Sequence, residues 1–318
     1  MRHCLQSILH SLENDRVAGG RPGTDRTGVR EHVRPAVTRA EDVAANAPGE
    51  NFPVALRVLP RARRRHLTSL YCFARLTDDL GDEARETGQA DADLRLRLLD
   101  ELAADVDLIY AGGTPQSPVM QAMADTVREC GVPAQPLLDL IQANRQDQQV
   151  ARYRTFAELA TYCELSANPV GRVVLYIFGA ASPERIELSD RVCTALQLAE
   201  HWQDVAEDLG RGRIYLPAED LDQFGCTEAD LAEPTAGPGV RQLMRFEVDR
   251  ASGLLDDGAP LVGTLRGSAR LAVAGYLAGG RAALAAIRAR RYDVLAGTPR
   301  PRRPRLVAEL VKTYLRGR

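Results

Sequence analysis

From residue 50 to the end of the chain, apolar positions return every three and four residues, the period of helices that bury one face. The pattern predicts helices over 64–76, 93–110, 118–130, 134–149, 156–163, 170–178, 187–209, 240–255, 268–290 and 305–314. Glycine and proline punctuate it at Gly112-Gly113-Thr114-Pro115, Gly131-Val132-Pro133, Ser182-Pro183, Glu233-Pro234 through Pro238-Gly239, and Gly297-Thr298-Pro299. No stretch alternates with period two, and no repeat of 20–50 residues is visible. The expectation is about ten helices in one all-α domain spanning 46–318. The apolar segment 271–287 is broken by Gly279, Gly280 and Arg281, which predicts a core helix with a kink rather than a membrane span. Residues 1–45 show little periodicity and no signal-peptide core, and their acids argue against an organellar transit peptide. They are expected to be a disordered leader or an extension from an over-called start codon.

Composition narrows the chemistry. Of the 318 residues 45% are hydrophobic, enough for a sizeable core, and the net charge of −2 gives no global attraction to nucleic acid. The six cysteines are scattered without zinc-site spacing, which predicts reduced thiols and a cytoplasmic protein.

Against this background two acid-rich stretches stand out: Asp78-Asp79-Leu80-Gly81-Asp82-Glu83 and Asp204-Val205-Ala206-Glu207-Asp208. On a helix, Asp78 and Asp82 stack on one face, and so do Asp204 and Asp208. Carboxylates stacked in this way repel unless a cation lies between them, and hard oxygen ligands suit Mg2+, which bridges readily to phosphate. Two such faces across a helical cavity could hold a diphosphate. Tyr71 and Arg75 continue the first face, and Glu200 continues the second. A solvated helix face with an Arg75–Asp78 pair would account for the first stretch as well. After the second come Arg211 and Arg213 on a glycine-rich turn, suited either to diphosphate oxygens or to neutralising the helix C-terminus.

The segments 71–82 (Tyr-Cys-Phe-Ala-Arg-Leu-Thr-Asp-Asp-Leu-Gly-Asp), 204–208 and 212–217 (Gly-Arg-Ile-Tyr-Leu-Pro) together resemble the squalene/phytoene synthase family, over roughly residues 50–292. Within it, Glu50-Asn51-Phe52-Pro53-Val54, Ser166-Ala167-Asn168-Pro169-Val170-Gly171 and Trp202-Gln203-Asp204-Val205 are similar to the bacterial hydroxysqualene synthase branch. The resemblance implies an all-α isoprenoid-synthase fold with a central cavity. It implies Mg2+ bound by Asp78, Asp82, Asp204 and Asp208, with Arg75 and Tyr71 beside the reaction. It implies substrate contacts from Asn51, Phe52, Phe73, Asn168, Gln203, Arg213 and Tyr215, with Asn168 as candidate water-orienting group and Phe52, Tyr71, Phe73, Val170 and Val174 as tunnel walls.

The implied reaction is Mg2+-dependent conversion of presqualene diphosphate and water to hydroxysqualene, between a presqualene diphosphate synthase and a hydroxysqualene oxidoreductase as pathway partners. Two departures from the family pattern bear on this. Glu200 stands where relatives carry Asn, and Glu164-Leu165 stand where condensing relatives carry a Tyr. The alternatives are a presqualene diphosphate or phytoene synthase, or a non-catalytic assembly factor. A lipid product also leaves open peripheral contact with the inner membrane.

Overall fold

The computed structural model describes residues 59–82 and 89–316. The expected leader therefore lies outside the described residues, as do Asn51 and Phe52, and the side chain of Asp82 is outside them too. The order is α1 (Arg61–Asp82), α2 (Gln89–Tyr110), α3 (Pro118–Cys130), α4 (Gln135–Asp147), α5 (Phe156–Ser166), α6 (Asn168–Ile177), α7 (Pro183–Gln203), α8 (Val205–Gly210), α9 (Ala218–Gln223), α10 (Glu228–Leu231), α11 (Pro238–Gly258), α12 (Leu261–Thr264), α13 (Gly267–Ala289) and α14 (Arg303–Arg316). Among the described residues there is no strand, only an isolated bridge between Arg152 and Ile214.

Local chemistry sets the boundaries. Thr155 caps α5 by accepting from Glu158 N at 3.2 Å, and Ser182 caps α7 by accepting from Arg185 N at 3.3 Å ahead of Pro183. Gly131 ends α3 in the left-handed region with φ 67°, which glycine adopts without steric cost. Ala167 separates α5 from α6 because Pro169 at the start of α6 has no N–H to continue the ladder.

Two packing units result. In one, α1 lies against α2, α3, α4 and α6, burying Leu70, Phe73, Leu99, Met120 and Leu140. In the other, α7 runs through the centre against α5, α6, α11 and α13, with Trp202 and Leu198 wholly enclosed. The helices α4, α5 and α6 touch one another and join the two.

The structure departs from expectation at the second acidic motif. The helix predicted over 187–209 stops at Gln203 and restarts at Val205, with Asp204 at φ −107°, ψ 16° between them. The ladder bridges the break, since Asp204 N bonds Glu200 O at 3.0 Å and Asp208 N bonds Asp204 O at 2.8 Å. The apolar segment 271–287, by contrast, lies inside the single helix α13. There Gly280 serves packing: a Cβ at this position would stand 2.6 Å from Leu196 Cδ2 and 3.0 Å from Leu255 Cδ1, so its absence lets α13 approach α7 and α11. No described helix is long and apolar enough to cross a membrane.

Candidate active site

The first acidic motif ends α1. Tyr71, Phe73 and Ala74 are buried, and Asp78 continues this inward side at 7% exposure. A carboxylate so placed needs a partner. Asn144 on α4 supplies one, its Nδ2 lying 3.3 Å from Asp78 Oδ1. One turn on, Gln148 donates to Gly81 O at 2.8 Å. Gly81 matters here because a Cβ would come within 2.5 Å of Asn144 Oδ1, so glycine leaves room for the Asn144 amide beside Asp78. Arg75 pairs with Asp79 at 3.0 Å, an i,i+4 contact, and both side chains are 28% exposed.

The second motif sits on the α7–α8 break. Asp204 and Asp208 are buried, as is Glu200 one turn earlier. Thr298, in the segment after α13, donates its hydroxyl to Asp204 Oδ1 at 3.3 Å. Gln203 donates to the Pro299 carbonyl of the same segment.

Both motifs lead to the end of α4. Asp147, one turn after Asn144, accepts from Tyr162 OH at 3.0 Å and pairs with Arg213 Nη1 at 3.5 Å. Arg213 also reaches Tyr215 OH at 3.3 Å and Asp147 O at 3.2 Å. Tyr215 stacks on His201 with ring centroids 3.7 Å apart. His201, Asp208, Arg213 and Tyr215 line one small cavity of about 10 Å³. The chain of contacts from Asp78 therefore runs through Asn144 and Asp147 to Arg213 and the wall shared with Asp208.

Electrostatics mark the second motif as the demanding half. Burial, followed by the charge of Glu207, pushes the Asp204 carboxyl up to about 6. Burial and then Asp204 push Asp208 up to about 7. Burial, with Asp204 and Asp208 adding to it, holds Glu200 well above the carboxylate range. Glu200 Oε2 has no hydrogen-bond partner among the described residues. Arg213 stays charged because Asp147 and Tyr215 outweigh its burial.

Three buried acids that oppose one another's ionisation fit a cation better than they fit an empty interior. Yet no group of three or more acid, His or Cys residues among those described stands close enough to chelate one ion alone. Asp78, Asp204 and Asp208 offer hard carboxylate oxygens, the donor type that Mg2+ takes.

The remaining candidates fall in several places. Val170 and Val174 line an apolar cavity of about 50 Å³ with Gly171, Val192, Leu196 and Tyr276. Ligand pockets are commonly about 300–1,000 Å³, so this cavity is narrower than a typical ligand site. Tyr71 and Phe73 share the core around α1 with Val174, and Val170 packs against that core. Asn168 is buried, its Oδ1 accepting from Thr194 Oγ1 at 3.0 Å. Gln203 faces the 298–299 segment, and Arg213 and Tyr215 join the site as described.

Sequence reasoning missed Asn144, Asp147, Gln148 and Thr298. The signal for the first three was present: polar residues at 144, 147 and 148 extend the buried Leu137, Leu140 and Ile141 face of α4. Thr298 carried no such signal.

The squalene/phytoene synthase family model matches residues 45–307. The chain belongs to the squalene/phytoene synthase family and is an enzyme with the isoprenoid synthase fold. Hydroxysqualene synthase of Rhodopseudomonas palustris is 34% identical over 218 residues, covering 68% of this chain and 72% of that protein. The 15-cis-phytoene synthase of Synechocystis is 32% identical over 269 residues, covering 80% and 78%. The crystal structure of squalene synthase HpnC from Alicyclobacillus acidocaldarius matches with a TM-score of 0.71 at 42% identity, covering 76% of this chain and 89% of that one.

Proposed function

We propose that the enzyme converts presqualene diphosphate and water into hydroxysqualene and diphosphate, with Mg2+ as cofactor. The observation that carries this reading is the last turn of α4, where Asn144 bonds Asp78 and Asp147 pairs with Arg213, whose backbone N–H donates to Asp208 O. The 42% identity to the squalene synthase HpnC structure supports a squalene-forming member. Glu164 and Leu165, where condensing relatives carry Tyr, support the second half-reaction over the first.

When bound, Mg2+ would neutralise the diphosphate and make it a better leaving group. Asp78, Asp204 and Asp208 would hold it, with Asp82 as the expected fourth ligand. Arg213 and Arg75 would contact diphosphate oxygens as charge develops on them. The carbon–oxygen bond breaks and its electron pair leaves with the diphosphate. The walls around Val170, Val174 and Tyr276 would keep solvent from the carbocation during rearrangement. Asn168, oriented by Thr194, would present one water. Its oxygen adds to the cation and its proton passes to the departing diphosphate.

The test offers purified protein and Mg2+ with presqualene, farnesyl or geranylgeranyl diphosphate, with products read by mass spectrometry. Hydroxysqualene from presqualene diphosphate is the expected result. Turnover of farnesyl or geranylgeranyl diphosphate alone would instead identify a condensing synthase, the reading favoured by the phytoene synthase relative. Asp204→Asn should abolish turnover while the circular dichroism spectrum stays unchanged, and full activity in that variant would remove the metal assignment.

A further inference from the structure

The helix α14 has two unlike faces. Its inner face is fixed to α13: Arg270 Nη2 donates to Tyr314 O at 2.7 Å, its guanidinium lies 4.6 Å over the Tyr314 ring, and Arg281 donates to Thr313 Oγ1 at 2.9 Å. The outer face carries Val307, Val311 and Leu315, exposed by 58%, 52% and 53%. Spacing of four residues puts all three in one stripe. Isolated exposed apolar residues are ordinary, whereas a continuous stripe along a helix marks an interaction surface.

Charge decides what that surface meets. Between residues 300 and 316 stand Arg300, Arg302, Arg303, Arg305, Lys312 and Arg316 against the one acid Glu309, although the whole chain carries a net charge of −2. All six cationic residues are exposed. On the helix, Arg305, Lys312 and Arg316 flank the apolar stripe along one side. A second copy of the chain packed on this stripe about a two-fold axis would bring the same positive charges together, which opposes association. An apolar stripe bordered by arginines and lysine matches an anionic bilayer, whose acyl boundary takes the stripe and whose headgroups take the charges.

We propose that α14 docks the enzyme on the surface of a bilayer containing anionic phospholipid. The docking helix begins five residues after Thr298, which bonds Asp204, so the lipid-facing element and the acidic site share one short segment. A long-chain substrate and product could then pass between bilayer and site without crossing bulk water. That consequence rests on the function proposed above, but the docking does not.

The experiment is flotation of the full chain with large unilamellar vesicles of phosphatidylcholine, with and without about a quarter phosphatidylglycerol. The expected result is flotation with the anionic vesicles and at least about tenfold weaker partition to neutral ones. Val307→Glu/Val311→Glu/Leu315→Glu should lower partition at least about tenfold, and Arg302→Gln/Arg303→Gln/Arg305→Gln should do so by a similar factor. Circular dichroism melting checks that these exposed substitutions leave the fold intact. Equal partition by either variant and the parent, or no partition to anionic vesicles, overturns the proposal. So does a concentration-dependent dimer abolished by Val311→Glu, which would assign the stripe to a second copy. Because the readout is lipid binding, failure of the proposed reaction leaves the result interpretable.

Discussion

Asn144 Nδ2 lies 3.3 Å from Asp78 Oδ1, while the missing Cβ of Gly81 leaves the 2.5 Å gap that Asn144 Oδ1 occupies. A glycine within the acidic motif thus fixes a residue of another helix, which in turn orients the motif's own aspartate. Gly81→Ala should displace the end of a flexible side chain and leave the backbone packing in place. The expected outcome is about a tenfold loss of kcat with little change in Tm. Asn144→Ala should raise the Mg2+ concentration for half-maximal activity about 10–100-fold, as losses of ligand-orienting partners do. Activity titrations with Mg2+ check both.

The acidity of the second motif sets a pH dependence. Folding raises the Asp204 carboxyl to about 6 and Asp208 to about 7, with burial as the main cause of each. The unfolded chain releases these protons near pH 3.9. The folded state therefore binds more protons than the unfolded state from about pH 4 to about pH 7, and stability falls as pH rises through that window. Metal-free protein should lose Tm across it, and Asp204→Asn/Asp208→Asn should flatten the profile. On the proposed function Mg2+ would replace the protons, so the Tm increment that it produces should grow from about pH 5.5 to about pH 8. A Mg2+ increment independent of pH would show that these carboxyls do not bind it.

A second buried charge cluster is structural. Arg250 Nη1 lies 2.7 Å from Asp220 and 3.1 Å from both oxygens of Glu247, and its guanidinium lies between Phe156 and Phe246. Burial pushes Glu247 up to about 8, Arg250 opposing and Asp220 adding to the shift, so the cluster holds one net proton at neutral pH. Glu247→Gln should then be close to neutral at pH 7. Arg250→Ala leaves Asp220 buried without its cation and should cost about 3–5 kcal/mol. Urea melts of the two variants check the contrast.

Gly171 sits where α6 meets α7. A Cβ there would come 2.4 Å from Cys193 Sγ and 2.5 Å from Ser189 Oγ, beside the apolar cavity. Gly171→Ala should cost about 1–3 kcal/mol through overpacking. Adding Cys193→Ala should recover part of that loss, which thermal melts of single and double variants would measure.

Much of this molecule was legible before any coordinates. Apolar period alone placed the ten main helices, because each must bury one stripe and the stripe is written in local spacing. The short helices α9, α10 and α12 were not legible, since four to six residues hold too few repeats to show a period. The break at Asp204 was hidden for a related reason: the hydrogen-bond ladder continues across it, so the apolar period does too. The aspartates of both motifs were evident from their i,i+4 spacing, whereas Thr298, which holds one of them, stands in a loop with no pattern to betray it.

Sequence by itself determined the helical class and the two acidic i,i+4 motifs, because spacing and side-chain chemistry are local properties. Only the tertiary structure decided that the last turn of α4 links those motifs, that burial raises Asp204 and Asp208, and that the stripe on α14 is exposed among the described residues. Those features depend on which residues distant in the chain share a wall, and helix packing sets that wall only once the whole core has closed.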